Sequence, residues 1–315
     1  MTITATMVKE LREKTSAGML DCKKALEETK GNFEEAVDWL RKKGLSAAAK
    51  KADRLASEGL VQVFKSADGK VAVAVEVNSE TDFVARNEGF KKFVTDVAQQ
   101  AAAKGNVGIF EPATELLDTP YVNNSSISLA EHLKQTIATI GENLVVRRYA
   151  KYAADQSLVH TYLHGEGKIG VLIEVGADKA EALTNEAFKA FANDVCLHIA
   201  AMNPMAISSA EIPADAQTRE REVLMGKAKE QGKKAEMIDK IVDGQMKKWL
   251  AENCLLDQSF VKNPDLTVGA YQKQVATSVG AQITIKKFVR FELGAGLQKK
   301  QDNFAEEVAA QMKGR

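Results

Sequence analysis

Residues 71–97 read VAVAVEVNSETDFVARNEGFKKFVTDV, and the rest of the chain is best understood from this run. Val71, Val73, Val75 and Val77 alternate with Ala72, Ala74 and Glu76, a two-residue period that predicts a β-strand with one well-buried face, stopping at Asn78 and Ser79. Phe90, Phe93, Val94, Val97, Ala98 and Ala101 then recur at helical spacing, which predicts an amphipathic helix. Between them lies Ser79-Glu80-Thr81-Asp82-Phe83-Val84, whose polar residues suit a helix start with Ser79 or Thr81 as N-cap. Phe83 does not belong to either pattern. It is an aromatic in a turn, beside an acid, ahead of the helix's own apolar stripe.

A second copy of the run sharpens the contrast. Shifted by 98 positions, residues 60–102 align with residues 158–200 without a gap. Gly69 matches Gly167, Lys70 matches Lys168, Glu76 matches Glu174, Val77 matches Val175, Phe90 matches Phe188, Phe93 matches Phe191 and Val97 matches Val195. Core aromatics in step over this length point to an internal duplication. Asp82 and Phe83 face Ala180 and Glu181, so the shared fold does not require an aromatic at that place. Two readings of Phe83 stay open: a loop aromatic tucked into the core, or an anchor for a partner's pocket.

Bulk properties narrow the function classes. A chain of 315 residues has room for two or more domains. Lysine plus arginine equals aspartate plus glutamate at 43 each, which argues against a general DNA, RNA or membrane binder. Cys22, Cys196 and Cys254 are odd in number and lack CxxC spacing, so neither a disulfide framework nor a zinc site is expected. The first residues lack a basic region followed by an apolar run, and no stretch approaches the roughly 18 apolar residues of a membrane span. A soluble cytoplasmic protein is expected. His160 and His164 have no acidic or cysteine cluster nearby, and His164 reads as a solvated histidine at the mouth of a hairpin. No phosphate loop, GxSxG, HExxH or dinucleotide fingerprint occurs, so no cofactor, metal or catalytic residue is assigned and covalent chemistry is not expected.

Along the chain, residues 4–43 predict three short helices. The third opens at Asn32 with Glu35 three residues on, a capping box, and stops at Gly44. Met19 and Leu20 follow a glycine turn and are read either as inter-helix packing or as an outward contact. Residues 41–54 are basic and alanine-rich, a helical, solvated connector. Residues 60–64 and 71–77 form a hairpin through Asp68-Gly69. Residues 103–126 read as an exposed irregular connection, residues 129–140 as a helix and residues 143–152 as a strand. The plan repeats with strands at 158–164 and 168–175 and a helix at 180–202. Residues 214–230 and 235–250 predict a projecting helical hairpin, with Val223, Leu224 and Met225 facing Met237, Ile238, Ile241, Val242 and Met246. Asn263-Pro264 reads as a break, followed by a short helix around Val268, Tyr271 and Val275 and a returning strand at 282–292. Phe304, Val308 and Met312 stripe a last helix. The fold class is α+β.

Asn78-Ser79-Glu80-Thr81-Asp82-Phe83-Val84-Ala85-Arg86-Asn87 resembles a signature of the elongation factor Ts family. Leu11-Arg12-Glu13-Lys14-Thr15-Ser16-Ala17-Gly18-Met19-Leu20-Asp21-Cys22-Lys23-Lys24-Ala25-Leu26 is similar to a second, and Ile140-Gly141-Glu142-Asn143 with Arg147-Arg148 to a third, in the family's order. Ser16 stands where the family usually has glycine, and Ser79 where it often has cysteine. The resemblance implies a ubiquitin-associated-like three-helix bundle, then a duplicated core of antiparallel sheets packed with helices, with an inserted helical hairpin and a C-terminal helix. The expected divisions are residues 1–55 for the docking module and linker, 56–152 for one half of the core, 153–210 and 253–297 for the other, 211–252 for the hairpin and 298–315 for the last helix.

The resemblance also implies guanine-nucleotide exchange on elongation factor Tu. Thr81, Asp82, Phe83 and Val84 would dislocate the partner's Mg²⁺, Arg12, Met19, Leu20 and Lys23 would dock the N-terminal module, and Ile140, Gly141 and His164 would hold a second contact through the core. The hairpin would offer a route to a homodimer. Two rival readings are a ubiquitin-like adaptor using residues 1–44, and an RNA-binding translation protein using residues 41–54 with Arg147-Arg148.

Overall fold

In the computed structural model, which describes residues 3–15, 17–232 and 234–298, the strand Val71–Ser79 is buried on both faces rather than one. Val73, Val75 and Val77 pack with Phe90, Phe93 and Val97 of the helix Glu88–Lys104. Ala72 and Ala74 instead join Val159, Leu172 and Phe291 of a second sheet. The large–small alternation therefore encodes two neighbours. A helix accepts the valines, and a sheet comes close enough only over alanines.

The first sheet is antiparallel, in the order Glu58–Lys65, Val71–Ser79, Leu144–Ala153, Gly108–Phe110. The second runs Ile283–Glu292, Ile169–Ala177, Ser157–His164, with the helix Glu186–Met202 on its outer face. The α+β class holds, with the layers running helix, sheet, sheet, helix.

The duplication reaches further than residue 200. Val71–Ser79 and Ile169–Ala177 differ by 98, as do the helices Glu88–Lys104 and Glu186–Met202. The helices Leu129–Ile140 and Val268–Val279, and the strands Leu144–Ala153 and Ile283–Glu292, differ by 139. The offset grows by 41 residues, and the helices Ala214–Glu230 and Ala235–Asn253 occupy that insertion. Leu224, Ala228, Ile238, Val242 and Met246 form its seam, while Val223 and Met237, expected in the seam, are exposed.

Other expectations need correction. The third N-terminal helix does not stop at Gly44. It runs from Phe33 to Ala49, capped by the Asn32 side chain on the Glu34 and Glu35 amides. Gly44 is a contact point, where an added Cβ would lie 3.6 Å from Ala138. The basic connector is docked as well, since Arg41 pairs with Glu131 and Ala48 enters the main core. Residues 103–126 hold a strand, a helical turn and a small hairpin, with Ala113, Leu116 and Tyr121 buried. Buried Gln100 ties that segment down through Thr119, the Pro120 carbonyl and the Val122 amide. The expected helix at 180–202 is a 3₁₀ segment, Ala180–Thr184, and then a helix restarted by Asn185, just as Asn87 restarts its counterpart. Asn263–Thr267 is a strand paired with Ser259–Phe260, not a break. The expected stripe of Phe304, Val308 and Met312 lies outside the described residues.

Two glycines test the packing. At Gly170 a Cβ would sit 2.5 Å from Val61 Cγ1, between the sheets, so Gly170→Ala is expected to destabilise by about 1–3 kcal/mol. Gly44→Ala meets only an ordinary contact inside a helix and is expected to stabilise by about 0.5–1 kcal/mol. Urea unfolding of both variants checks the opposite signs.

Candidate partner-binding surface

Thr81 caps a single helical turn, Asp82–Ala85, and its hydroxyl accepts the Val84 N–H at 3.4 Å. Four residues cannot hold a helix by themselves, and this turn is held from outside. The Thr81 N–H donates to Glu142 Oε2 at 3.1 Å and the Thr81 hydroxyl donates to Glu142 Oε1 at 2.7 Å. Glu80 accepts the Asn143 N–H at 2.6 Å and lies 3.4 Å from the Arg54 guanidinium. The Asn143 side chain donates to the Arg54 carbonyl at 2.8 Å. Ala85 is buried and Val84 packs on the core, so the turn is seated on one side. On the other side Phe83 is 76% exposed, which removes the interior reading of this ring. Asp82 pairs with Arg86 at 2.8 Å in a solvated ion pair of small worth.

Ile140 and Gly141 belong to the same corner. The helix Leu129–Ile140 ends in left-handed Gly141 (φ 89°), and the reversal delivers Glu142 and Asn143 to the Thr81 turn. Gly141 is exposed and Ile140 half-buried. His164 is not part of this corner, contrary to the expected grouping. It is exposed at the end of the strand Ser157–His164, with its Nδ1 3.1 Å from the Tyr162 hydroxyl. An open groove separates the two places, lined by Asp82, Arg86 and Lys91 on one side and by Leu163, Gly165 and Lys168 on the other.

In the N-terminal bundle Met19 is 57% and Leu20 is 83% exposed, so inter-helix packing does not account for them. Arg12 and Lys23 are exposed, Lys23 being loosely paired with Glu27 at 3.7 Å. Beneath them Cys22 is fully buried, and desolvation pushes its thiol up despite the contact with the Thr15 hydroxyl, so it is packing rather than a nucleophile.

The RNA reading of Arg147-Arg148 fails on geometry, because both guanidinium groups are spent on buried Glu76 and on Glu111. Among the described residues, no group of three or more histidines, cysteines or acids is placed to hold a metal, and no helix is long and apolar enough to cross a membrane. Glu142 and Asn143 as braces were missed from sequence. Their bonds to the 80–81 turn span more than sixty residues, and no local pattern announces them.

A family model described as Elongation factor TS matches residues 80–295. The chain belongs to the elongation factor Ts family. It is 60% identical over 315 residues to elongation factor Ts of Bdellovibrio bacteriovorus, covering 100% of both chains. It is 51% identical over 311 residues to that of Clostridioides difficile, 99% of each chain. It is 44% identical over 317 residues to that of Nostoc punctiforme, again 99% of each. Membership makes the chain a factor of translation elongation in protein biosynthesis, with nucleotide exchange on elongation factor Tu as its activity, a non-covalent task.

The duplication supplies an internal control for the site. Gly141 (φ 89°) and Gly280 (φ 66°) end equivalent helices, and among the described residues neither would place a Cβ within 4 Å of a neighbour. Gly141→Ala and Gly280→Ala are therefore each expected to cost about 1 kcal/mol through backbone strain alone, read as matched shifts in urea midpoint.

Proposed function

We propose that this chain accelerates GDP release from elongation factor Tu by inserting Phe83 beside the partner's Mg²⁺ site and dislocating the ion. The observation that carries the reading is a benzyl group held in water on a braced turn. An apolar ring of this size gains about 1.5–3 kcal/mol on burial, and that gain is available only in a complex.

A GTPase holds its nucleotide through phosphate contacts and Mg²⁺. A side chain that displaces the groups around the ion weakens nucleotide binding, and by linkage bound nucleotide weakens this chain's grip by the same factor. GTP then rebinds and expels the factor. Asp82, with Thr81 and Val84, supplies the polar and backbone setting beside the ring. Arg12, Met19, Leu20 and Lys23 dock the N-terminal bundle, Ile140 and Gly141 extend the Phe83 corner, and His164 makes a second contact across the groove. Two contacts on one framework allow a rigid-body shift of the partner's domains. The work takes place in the cytoplasm, in keeping with three buried free cysteines. The exposed Val223 and Met237 are the part of the hairpin that self-association would cover.

The test is stopped-flow release of labelled GDP from elongation factor Tu. Phe83→Ala is expected to lower kcat/KM by about 30-fold, equivalent to about 2 kcal/mol, with the urea midpoint unchanged. Release by the variant at the wild-type rate would overturn the assignment. Of the two glycine variants, only Gly141→Ala is expected to slow release.

A further inference from the structure

The two halves of the core make the same turn with different bracing, and the difference isolates one residue. In the first half Glu80 accepts the backbone N–H of Asn143 at 2.6 Å, and in the second Asp178 accepts the backbone N–H of Gln282 at 2.7 Å. These residues correspond through the offsets of 98 and 139. That bond is common to both halves and belongs to the architecture. The bonds from Thr81 to Glu142 are not repeated. Their counterparts are Lys179, which makes no side-chain cap, and Ala281, which has no side-chain acceptor to offer. Lys179 instead donates to the Gly280 carbonyl, and the segment after it is a 3₁₀ turn with Glu181 at the position of Phe83.

We infer that Glu142 is a positioning residue for exchange, a two-point clamp that fixes the direction in which Phe83 projects. The inference rests on the reading of Phe83 as the inserted group. Each carboxylate oxygen takes one donor from Thr81, the N–H and the hydroxyl, so both the backbone and the side chain of the cap are fixed. Charge-assisted bonds of this kind are among the stronger ones. They reinforce the weak internal cap, in which the Val84 N–H stands 3.4 Å from the same hydroxyl. The clamp also joins the Phe83 turn to Ile140 and Gly141, so that corner meets a partner as one body. A ring that is already oriented loses less freedom on insertion.

The experiment is a double-mutant cycle in the stopped-flow GDP-release assay with elongation factor Tu, using the full chain. The variants are Glu142→Ala, Phe83→Ala and the pair, with rates taken at subsaturating and saturating concentrations of this protein. Glu142→Ala is expected to lower the saturating rate about tenfold, and to lower it no further in the Phe83→Ala background, because the clamp acts through that ring. Glu142→Gln keeps one carbonyl acceptor and should fall between the two. It replaces Glu142→Ala in the cycle if the alanine variant loses its circular-dichroism signal. A wild-type rate for the Glu142 variant overturns the inference, and so does a tenfold loss that persists without Phe83. If Phe83→Ala alone releases GDP at the wild-type rate, the inserted-ring reading falls. If Phe83→Ala is slow while the Glu142 variant is not, only the clamp falls.

Discussion

A carboxylate with no exposed surface, Glu76, lies where the two halves of the core meet, and two adjacent arginines reach it. Neighbouring residues on a regular strand point to opposite faces, so both guanidinium groups arrive only because the strand is bulged. Glu76 pairs with Arg148 and Val77 with Val146, leaving Arg147 as the extra residue. Arg147 Nη1 stands 3.0 Å and Arg148 Nε 2.6 Å from the carboxylate, which also accepts the Asn78 amide and the Gly294 N–H. A buried charge is tolerable only with partners of this number and geometry. The Nη2 groups of the two arginines also donate to the carbonyls of Ala295 and Glu292, so the same cluster ties the first sheet to the exit of the second.

The second half repeats the device in weaker form. Lys286 is the extra residue of its bulge, and Lys286 and Lys287 lie 3.5 and 3.0 Å from Glu174. Burial works to raise the Glu174 carboxyl, but hydrogen bonds from Lys287 and Ser157 and the two lysine charges hold it below the usual range. Lysine ammonium groups are compact and lack the fork of arginine, so they balance the charge as point charges rather than as bidentate partners. Two further contacts cross in opposite senses. Arg148 lies 4.4 Å from the Phe291 ring, and Lys287 lies 4.4 Å from the Tyr152 ring. Phe291 corresponds to Tyr152 and Lys287 to Arg148, so the interface is the same pair made twice, as approximate two-fold symmetry requires.

Symmetry of the frame and asymmetry of the Phe83 corner go together. The long helices end alike, with Lys151 donating to the Ala102 carbonyl and Arg290 to the Ala200 carbonyl. Gln100 and His198 occupy equivalent buried places and hold equivalent small hairpins. Against this shared scaffold the Thr81–Phe83 turn is a departure, with a clamp its twin lacks and an aromatic where its twin has Glu181. The exposed Phe83 ring and the exposed His164 are both carried by this one frame.

Much of this was legible without coordinates. The strand and helix periods, the duplication over residues 60–102 and the anomalous Phe83 all follow from local spacing, because backbone geometry imposes periods that neighbouring residues must satisfy. What sequence could not decide was set by contacts between distant residues. The second buried face of residues 71–79 needed the other sheet, and the continuation past Gly44 needed the helix Leu129–Ile140. The full reach of the duplication was hidden by an insertion that shifts the offset from 98 to 139. Sequence by itself determined that the shared fold requires no ring at position 83, since the second copy carries Glu181 there. The tertiary structure alone decided that the ring faces water and that Glu142 holds its turn, because burial and long-range hydrogen bonds exist only once the chain has closed on itself.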